Sequence, residues 1–242
     1  MRLVAWNCAM AFHHKFEAVV ALRPDIAVIG ECAAPDILAA KADVGRLGTM
    51  VWIGTNHHKG LAVFAQPGYR ITLDDAYDPS LEYLAPVRVD GRASFHLLAA
   101  WAQNFSGGVT RKDQPGPFRT GLGHYRDFLT EVPAIVAGDL NNNAIWDRPG
   151  WPINQADAVC TLDGYGLASV YHVLRSERQG EETTPTIYWR DRTLRGPRYH
   201  LDYVFAPHEW VPTSSLRVGS HRKWVATGLS DHVPLVADFA PH

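Results

Sequence analysis

The sequence predicts an α/β or α+β sandwich. Three observations predict it: apolar runs ending in polar residues outnumber helical patterns, helical segments still punctuate those runs, and no linker or low-complexity tract divides the chain. With 242 residues and 46% hydrophobic content, the chain can bury a sizeable core without staples, and we read residues 1–242 as one domain.

The elements follow in order. Arg2 to Trp6 reads as a short buried strand. Lys15 to Leu22 places Phe16, Val19 and Val20 on one helical face, and Pro24 ends that helix. DIAVIGEC is a continuous apolar strand, as expected where both faces are covered. TMVWIGTNHHKGLAVFA reads as two strands around a polar turn holding Asn56, His57, His58 and Gly60. RASFHLLAAWAQN is another buried strand, HYRDFL the core of a helix, and PAIVAGDLN a strand with a polar end. Ala156 to Leu162 fits a short helix; TIYW, YHLDYVFAP and HVPLVADF are three late strands. The stretches 104–120 and 175–197 read as long loops rich in Gly, Pro, Arg and Thr, a length that often marks function.

Composition narrows the function classes. A formal net charge of −2 gives no global basic field, so polyanion binding has to come from a local patch. Three cysteines exclude a full disulfide framework, and Cys8, Cys32 and Cys160 are expected to be reduced and mostly buried. No run approaches the ~20 apolar residues of a membrane span, and Asn7 interrupts the first apolar stretch, which we read as a strand and not a signal peptide. We expect a cytoplasmic monomer with no membrane and no protein partner.

The polar strand ends carry the chemistry. VAWN supplies Asn7, AVIGE Glu31, IVAGDLN Asp139 and Asn141, YHLDYVF Asp202, and LSDH Asp231 and His232. PDIAVIGE at 24–31 and PAIVAGD at 133–139 echo each other, each delivering a carboxylate at the end of a buried strand. A buried carboxylate without a partner is costly, so five such ends suggest one convergent cluster. Four acids, two amides and one histidine form a hard, oxygen-rich set without zinc-type Cys–His spacing. Such a set suits Mg2+ or Mn2+, and a histidine oriented by an aspartate suits phosphate chemistry. Ser230 beside Asp231 and His232 also admits serine chemistry, but no G-x-S-x-G elbow surrounds it. His13, His14, His57 and His58 read as solvated loop residues.

The ordered set WN, GE, GDLN, LDY and SDH resembles the endonuclease/exonuclease/phosphatase superfamily, which includes exonuclease III-like and deoxyribonuclease I-like enzymes. The resemblance spans positions 6 to 232. It implies a four-layer α/β/β/α sandwich of two mixed β-sheets flanked by helices, with the site at one edge. It implies a divalent-metal-dependent hydrolase of phosphodiester bonds, a nuclease on DNA or RNA, using Mg2+ or Mn2+ and in-line attack of an activated water. The alternative is a phosphatase or phosphodiesterase on a small molecule such as a phosphoinositide or nucleotide. Residue by residue, it assigns Glu31 to the metal, Asn7 and Asp231 to the metal or its waters, and Asp139 to the attacking water. Asn141 would orient substrate and Asp139, His232 would contact the scissile phosphate, and Asp202 would back His232.

Two positions depart from the pattern. Trp101 stands where relatives carry a Tyr or His that touches phosphate, and it can serve the core or the substrate. Ser169 stands where many exonuclease III relatives carry an Asp, which argues against an abasic-site role. Asn104 can still face substrate. Local charge is concentrated in RDRTLRGPRYH, with Arg190, Arg192, Arg195 and Arg198, and in RVGSHRKW, with Arg217, Arg222, Lys223 and Trp224. Both flank motif residues and are expected to rim the site. Arginine suits phosphate, and Tyr188, Trp189 and Trp224 are candidates to stack on bases. The substrate-binding set is therefore Trp101, Asn104, Trp189, Arg190, Arg192, Arg222 and Trp224.

Overall fold

A computed structural model of the protein describes residues 1–102 and 115–240. Two six-stranded mixed sheets dominate it. The first has the order β13 (Ser215–Val218), β14 (Leu235–Asp238), β1 (Arg2–Asn7), β2 (Ile26–Cys32), β4 (Lys59–Ala65), β3 (Thr49–Asn56). The second has the order β5 (Tyr69–Leu73), β6 (Leu84–Gly91), β7 (Phe95–Trp101), β8 (Ala134–Asp139), β12 (Asp202–Pro207), β9 (Leu167–Ser169). Among the described residues, only β1–β2 and β7–β8 pair in parallel, at the middle of each sheet.

Side-chain alternation explains the layering. Leu3, Ala5, Ile26 and Val28 of the first sheet share one core with Leu97, Ala99, Ile135, Ala137, Val204 and Ala206 of the second. Their sequence neighbours point the other way. Val4, Trp6, Ala27 and Ile29 pack with Phe16 and Val19 of α1 (Phe16–Val20) and Leu38 of α2 (Pro35–Ala39). Leu98, Ala100, Val136, Tyr203 and Phe205 pack with α3 (Pro117–His124), α4 (Arg126–Thr130) and α5 (Gln155–Gly164). The central strands are apolar throughout because both faces are covered. The result is the α/β/β/α sandwich, with three cores separating four layers.

Several local expectations change. β5, β6 and β13 are strands the apolar pattern did not reveal. β6 contains Pro86, Arg88 and Asp90; the β5 ladder stops at Val87, so the missing Pro86 N–H lies beyond it. The stretch 198–207 is not one strand. Arg198–Tyr199 (β11) pairs with Ile187–Tyr188 (β10) in a separate ribbon, and β12 begins afresh at Asp202. Residues 117–120, read as loop, open α3, while 170–175 form α6 (Val170–Arg175). The first helix is confined to Phe16–Val20, preceded by a 3-10 turn over Phe12–His14. Cys8 and Cys32 are buried as expected, and burial pushes the Cys8 thiol up to about 12; Cys160 is exposed on α5, contrary to expectation. No helix among the described residues is long and apolar enough to cross a membrane.

Candidate functional site

The parity that builds the central core also builds the site. Asn7 continues the inward series Leu3, Ala5; Asp139 continues Ile135, Ala137; Asp202 begins the series Val204, Ala206. All three lie between the sheets at the same end of the sandwich, and Asp202 stands directly opposite Asp139 in the β12–β8 register. Gly138, the residue before Asp139, allows the close approach of β8 to β7 on the other side. It adopts φ 140°, and a Cβ there would fall 1.8 Å from the Ala100 carbonyl oxygen.

Glu31 reaches the site by another route. Strict alternation would send it outward with Ala27 and Ile29. A β-bulge between Gly30 and Cys32 and a left-handed backbone at Glu31, φ 57°, turn it toward Asn7 instead. Asn141, with φ 49°, is left-handed as well. Such conformations are uncommon outside glycine and cluster where a side chain has to be re-aimed.

Asn7 and Asp139 form the centre. Asn7 Nδ2 donates to Glu31 Oε1 at 3.3 Å and to Asp139 Oδ2 at 3.0 Å, while its Oδ1 accepts from the Ala9 N–H. Asn7 thus presents nitrogen, not oxygen, to the two carboxylates. Asp139 also accepts from the Asn141 backbone N–H at 2.8 Å and from Asn141 Nδ2 at 3.1 Å. Burial pushes the Asp139 carboxyl up to about 7; nearby His232 opposes that shift and Asp202 adds to it.

His232 lies across from this pair. Its Nδ1 donates to Asp202 Oδ2 at 2.8 Å, and its Nε2 lies 3.9 Å from Asp139 Oδ2. Burial alone would lower the His232 pKa, but the Asp202 and Asp139 carboxylates outweigh it and raise it to about 10. Ligand atoms of Asp139, Asp202 and His232 lie within 4.8 Å of one another, and all three residues are buried. Asp202 Oδ1 is buried without a hydrogen-bond partner among the described residues.

The two remaining acids sit nearer the surface and face cations. Glu31 Oε2 is 3.8 Å from Lys59 Nζ, and Asp231 Oδ2 is 3.8 Å from an Arg192 guanidinium nitrogen. Glu31 and Asp231, two of the three residues expected to hold metal, therefore line the mouth, while Asn7 is buried with Asp139, Asp202 and His232. By type, the carboxylates of Glu31 and Asp231 are hard oxygen donors of the kind a divalent cation takes, and each faces a basic side chain here.

No family model matches this sequence, and no curated protein sequence matches it. Solved structures do match in shape. A 3'-5' exonuclease from Neisseria meningitidis superposes with TM-score 0.68 at 16% identity, covering 99% of each chain. An AP endonuclease from Leishmania major gives TM-score 0.70 at 15% identity over all of this chain and 87% of that one. An endonuclease/exonuclease/phosphatase from Beutenbergia cavernae gives 0.60 at 20% identity, over all of this chain and 71% of that one. The chain has the endonuclease/exonuclease/phosphatase fold.

Within that fold, Tyr188, Trp224 and Arg217 do not stand at the rim expected of them; Tyr188 is buried in the core on the outer face of the first sheet. Trp224, offered for base stacking, is buried beneath α7 (His221–Trp224), edge-on to Trp6 with ring centroids 4.9 Å apart. It belongs to the core on the outer face of the first sheet. Arg217 sits 3.6 Å from Asp238, which pairs with Arg2 at the end of β1 opposite Asn7. Trp101 is buried in the central core, in register with Asp139, against Tyr83 and beneath Lys59 Nζ. Arg192 reaches Asp231, Arg190 stacks over the exposed Trp189 at 4.2 Å, and Arg222 is exposed on α7. Asn104 lies outside the described residues.

Three positioning residues escaped sequence reasoning. Ser230 Oγ donates to the Asn7 carbonyl at 2.8 Å and accepts from the His232 N–H at 3.0 Å. Trp6 Nε1 donates to the His232 carbonyl at 3.1 Å. Thr186 Oγ1 accepts from the Leu201 and Asp202 N–H groups, and its carbonyl accepts from the Val233 N–H. Thr186 thus ties the backbones carrying Asp202 and His232 together. Ser169, the other departure from pattern, is paired with His172 Nδ1 at 2.7 Å in a buried network through Glu182.

Proposed function

We propose that the protein is a divalent-metal-dependent phosphodiesterase that hydrolyses nucleic acid. The observation that carries this reading is the buried line Asp202–His232–Asp139. Asp202 fixes one ring nitrogen of a protonated His232 and leaves the other facing Asp139 across 3.9 Å. Phosphoryl transfer places charge on the non-bridging oxygens, and a fixed imidazolium N–H donates to such an oxygen without reorganising.

Asp139 supplies the base. Two amides and a backbone N–H hold its carboxylate, and burial keeps its proton affinity near neutrality, where it can take a proton from water. Asn141 and Asn7 orient it. A divalent cation held by Glu31 and Asp231, with Asn7 or its waters, would neutralise charge and polarise the phosphoryl oxygen. Arg192, Arg190 and Arg222 contribute phosphate contacts along the chain of the substrate. Solved exonuclease and AP endonuclease structures of the same fold support this reaction class.

The test is cleavage of labelled single- and double-stranded DNA, RNA and abasic duplex with Mg2+ and with chelator. We expect metal-dependent cleavage of at least one polymer, lost in Glu31→Gln with the fold intact. No cleavage of any polymer at high enzyme concentration overturns the reading.

A further inference from the structure

The backbone that follows Asn7 is strained. Ala9, Met10 and Ala11 adopt φ of 50°, 63° and 49°, three left-handed residues in a row, none of them glycine. That conformation is unfavourable for any residue with a Cβ, and it persists only where neighbouring groups enforce it. Lys15 supplies the enforcing contacts. Its ammonium donates to the Cys8 carbonyl at 2.6 Å and to the Ala9 carbonyl at 3.2 Å. Among the described residues, neither carbonyl accepts a backbone N–H. Lys15 is half-buried at the start of α1, and its own N–H bonds to the Phe12 carbonyl, so the ammonium reaches back from a fixed base.

The strained turn acts on the Asn7 side chain. The Ala9 N–H donates to Asn7 Oδ1 at 3.0 Å. A backbone N–H only donates, so this contact decides which end of the amide is oxygen. Asn7 Nδ2 then faces Glu31 Oε1 at 3.3 Å and Asp139 Oδ2 at 3.0 Å, and ionised carboxylates only accept. Ser230 Oγ holds the Asn7 carbonyl separately. Ser230 thus fixes the Asn7 backbone, while the Ala9 N–H fixes the rotation of its amide. A relaxed turn would withdraw the Ala9 N–H, leave a buried oxygen without that partner, and free the amide to rotate away from the carboxylates.

We propose that Lys15 is a positioning residue of the site: its ammonium clamps the left-handed turn Ala9–Met10–Ala11, whose Ala9 N–H orients the Asn7 amide toward Glu31 and Asp139. The effect of the clamp on turnover rests on the phosphodiesterase reading; its effect on the Asn7 amide does not. A lysine that touched a substrate phosphate instead would act through KM and would not depend on the turn.

The test uses Lys15→Met, Met10→Gly and the double variant. Met10 is 42% exposed, so glycine there relieves the strain without opening a cavity. Amide hydrogen exchange is read by heteronuclear NMR without substrate. Lys15→Met should speed exchange at Ala9 by about tenfold or more and leave Val136 on β8 unchanged, which separates local release from global destabilisation. Adding Met10→Gly should restore protection at Ala9. Cleavage of a labelled oligonucleotide in Mg2+ should follow the same order. In Lys15→Met, kcat should fall about tenfold to a hundredfold with KM changed by less than about twofold, and the double variant should recover. Met10→Gly alone should keep the wild-type kcat. If Lys15→Met does not fold, the double variant should fold, and its failure overturns the proposal. Unchanged Ala9 exchange in Lys15→Met, or glycine that rescues neither readout, also overturns it. So does a raised KM at unchanged kcat, the sign of direct substrate contact. Protection lost in Lys15→Met and regained with glycine, in a protein that cleaves no polymer, upholds the clamp while removing the catalytic reading.

Discussion

Nδ1 of His232 lies 2.8 Å from Oδ2 of Asp202, and both side chains are buried between the sheets. The contact fixes the ring and, with Asp139, keeps it charged well beyond neutrality. Asp202→Asn removes the charge but keeps the shape. We expect kcat to fall by about a hundredfold or more, and the alkaline limb of the pH–rate profile to move to lower pH. An unchanged alkaline limb would show that Asp202 does not set the His232 proton affinity.

The same pair makes metal-free stability depend on pH. His232 has its pKa raised from 6.5 in the open chain to about 10 in the fold. The folded state therefore holds this proton more tightly, so its stabilisation is complete below about pH 6.5 and is lost as pH rises through 10. Asp139, raised from 3.8 to about 7, acts in the same direction at lower pH. The urea midpoint of chelated protein should fall between pH 7 and 10, and His232→Ala should flatten that fall. A midpoint that rises over this range contradicts the assignment.

Ser230 joins Asn7 and His232 through one hydroxyl. Ser230→Ala leaves the Asn7 carbonyl and the His232 N–H without that partner in a buried place. We expect a loss of about 1–3 kcal/mol, read as a lower melting temperature, with reduced turnover. A serine-directed sulfonyl fluoride should leave the wild-type enzyme fully active. Inactivation by that reagent at Ser230 would restore serine chemistry.

Trp224 supports the sheet and does not meet substrate. Trp224→Ala should cost about 3–5 kcal/mol from the cavity left against Trp6. Trp224→Phe should keep the KM for oligonucleotide while lowering the melting temperature. A raised KM with unchanged stability would return Trp224 to the binding surface.

What was legible in the sequence is what alternation and burial make visible. Apolar runs with polar ends marked β1, β2, β7, β8 and β12, because strands covered on both faces allow few other residues. Their polar ends, Asn7, Asp139 and Asp202, do meet between the sheets. Glu31 is legible from its motif, but alternation alone places it outside; the bulge explains its position. The half-exposed edge strand β13 and the Pro86-containing β6 were hidden because neither carries a long apolar run. The charged residues around Trp224 suggest a rim, whereas a short helix turns its ring inward. Thr186 and Ser230 carry no signal of their own: each acts through backbone contacts with segments far away in sequence.

The central claim is that Asp139, His232 and a divalent cation hydrolyse a phosphodiester. It is tested most directly by chelating the protein, adding Mg2+ stepwise, and following cleavage of an end-labelled single-stranded oligonucleotide by wild type and His232→Ala. The account predicts cleavage that appears with Mg2+ in the wild type and is at least about a hundredfold slower in the variant at every concentration. Equal rates for the two proteins, or cleavage undiminished by chelator, would contradict it.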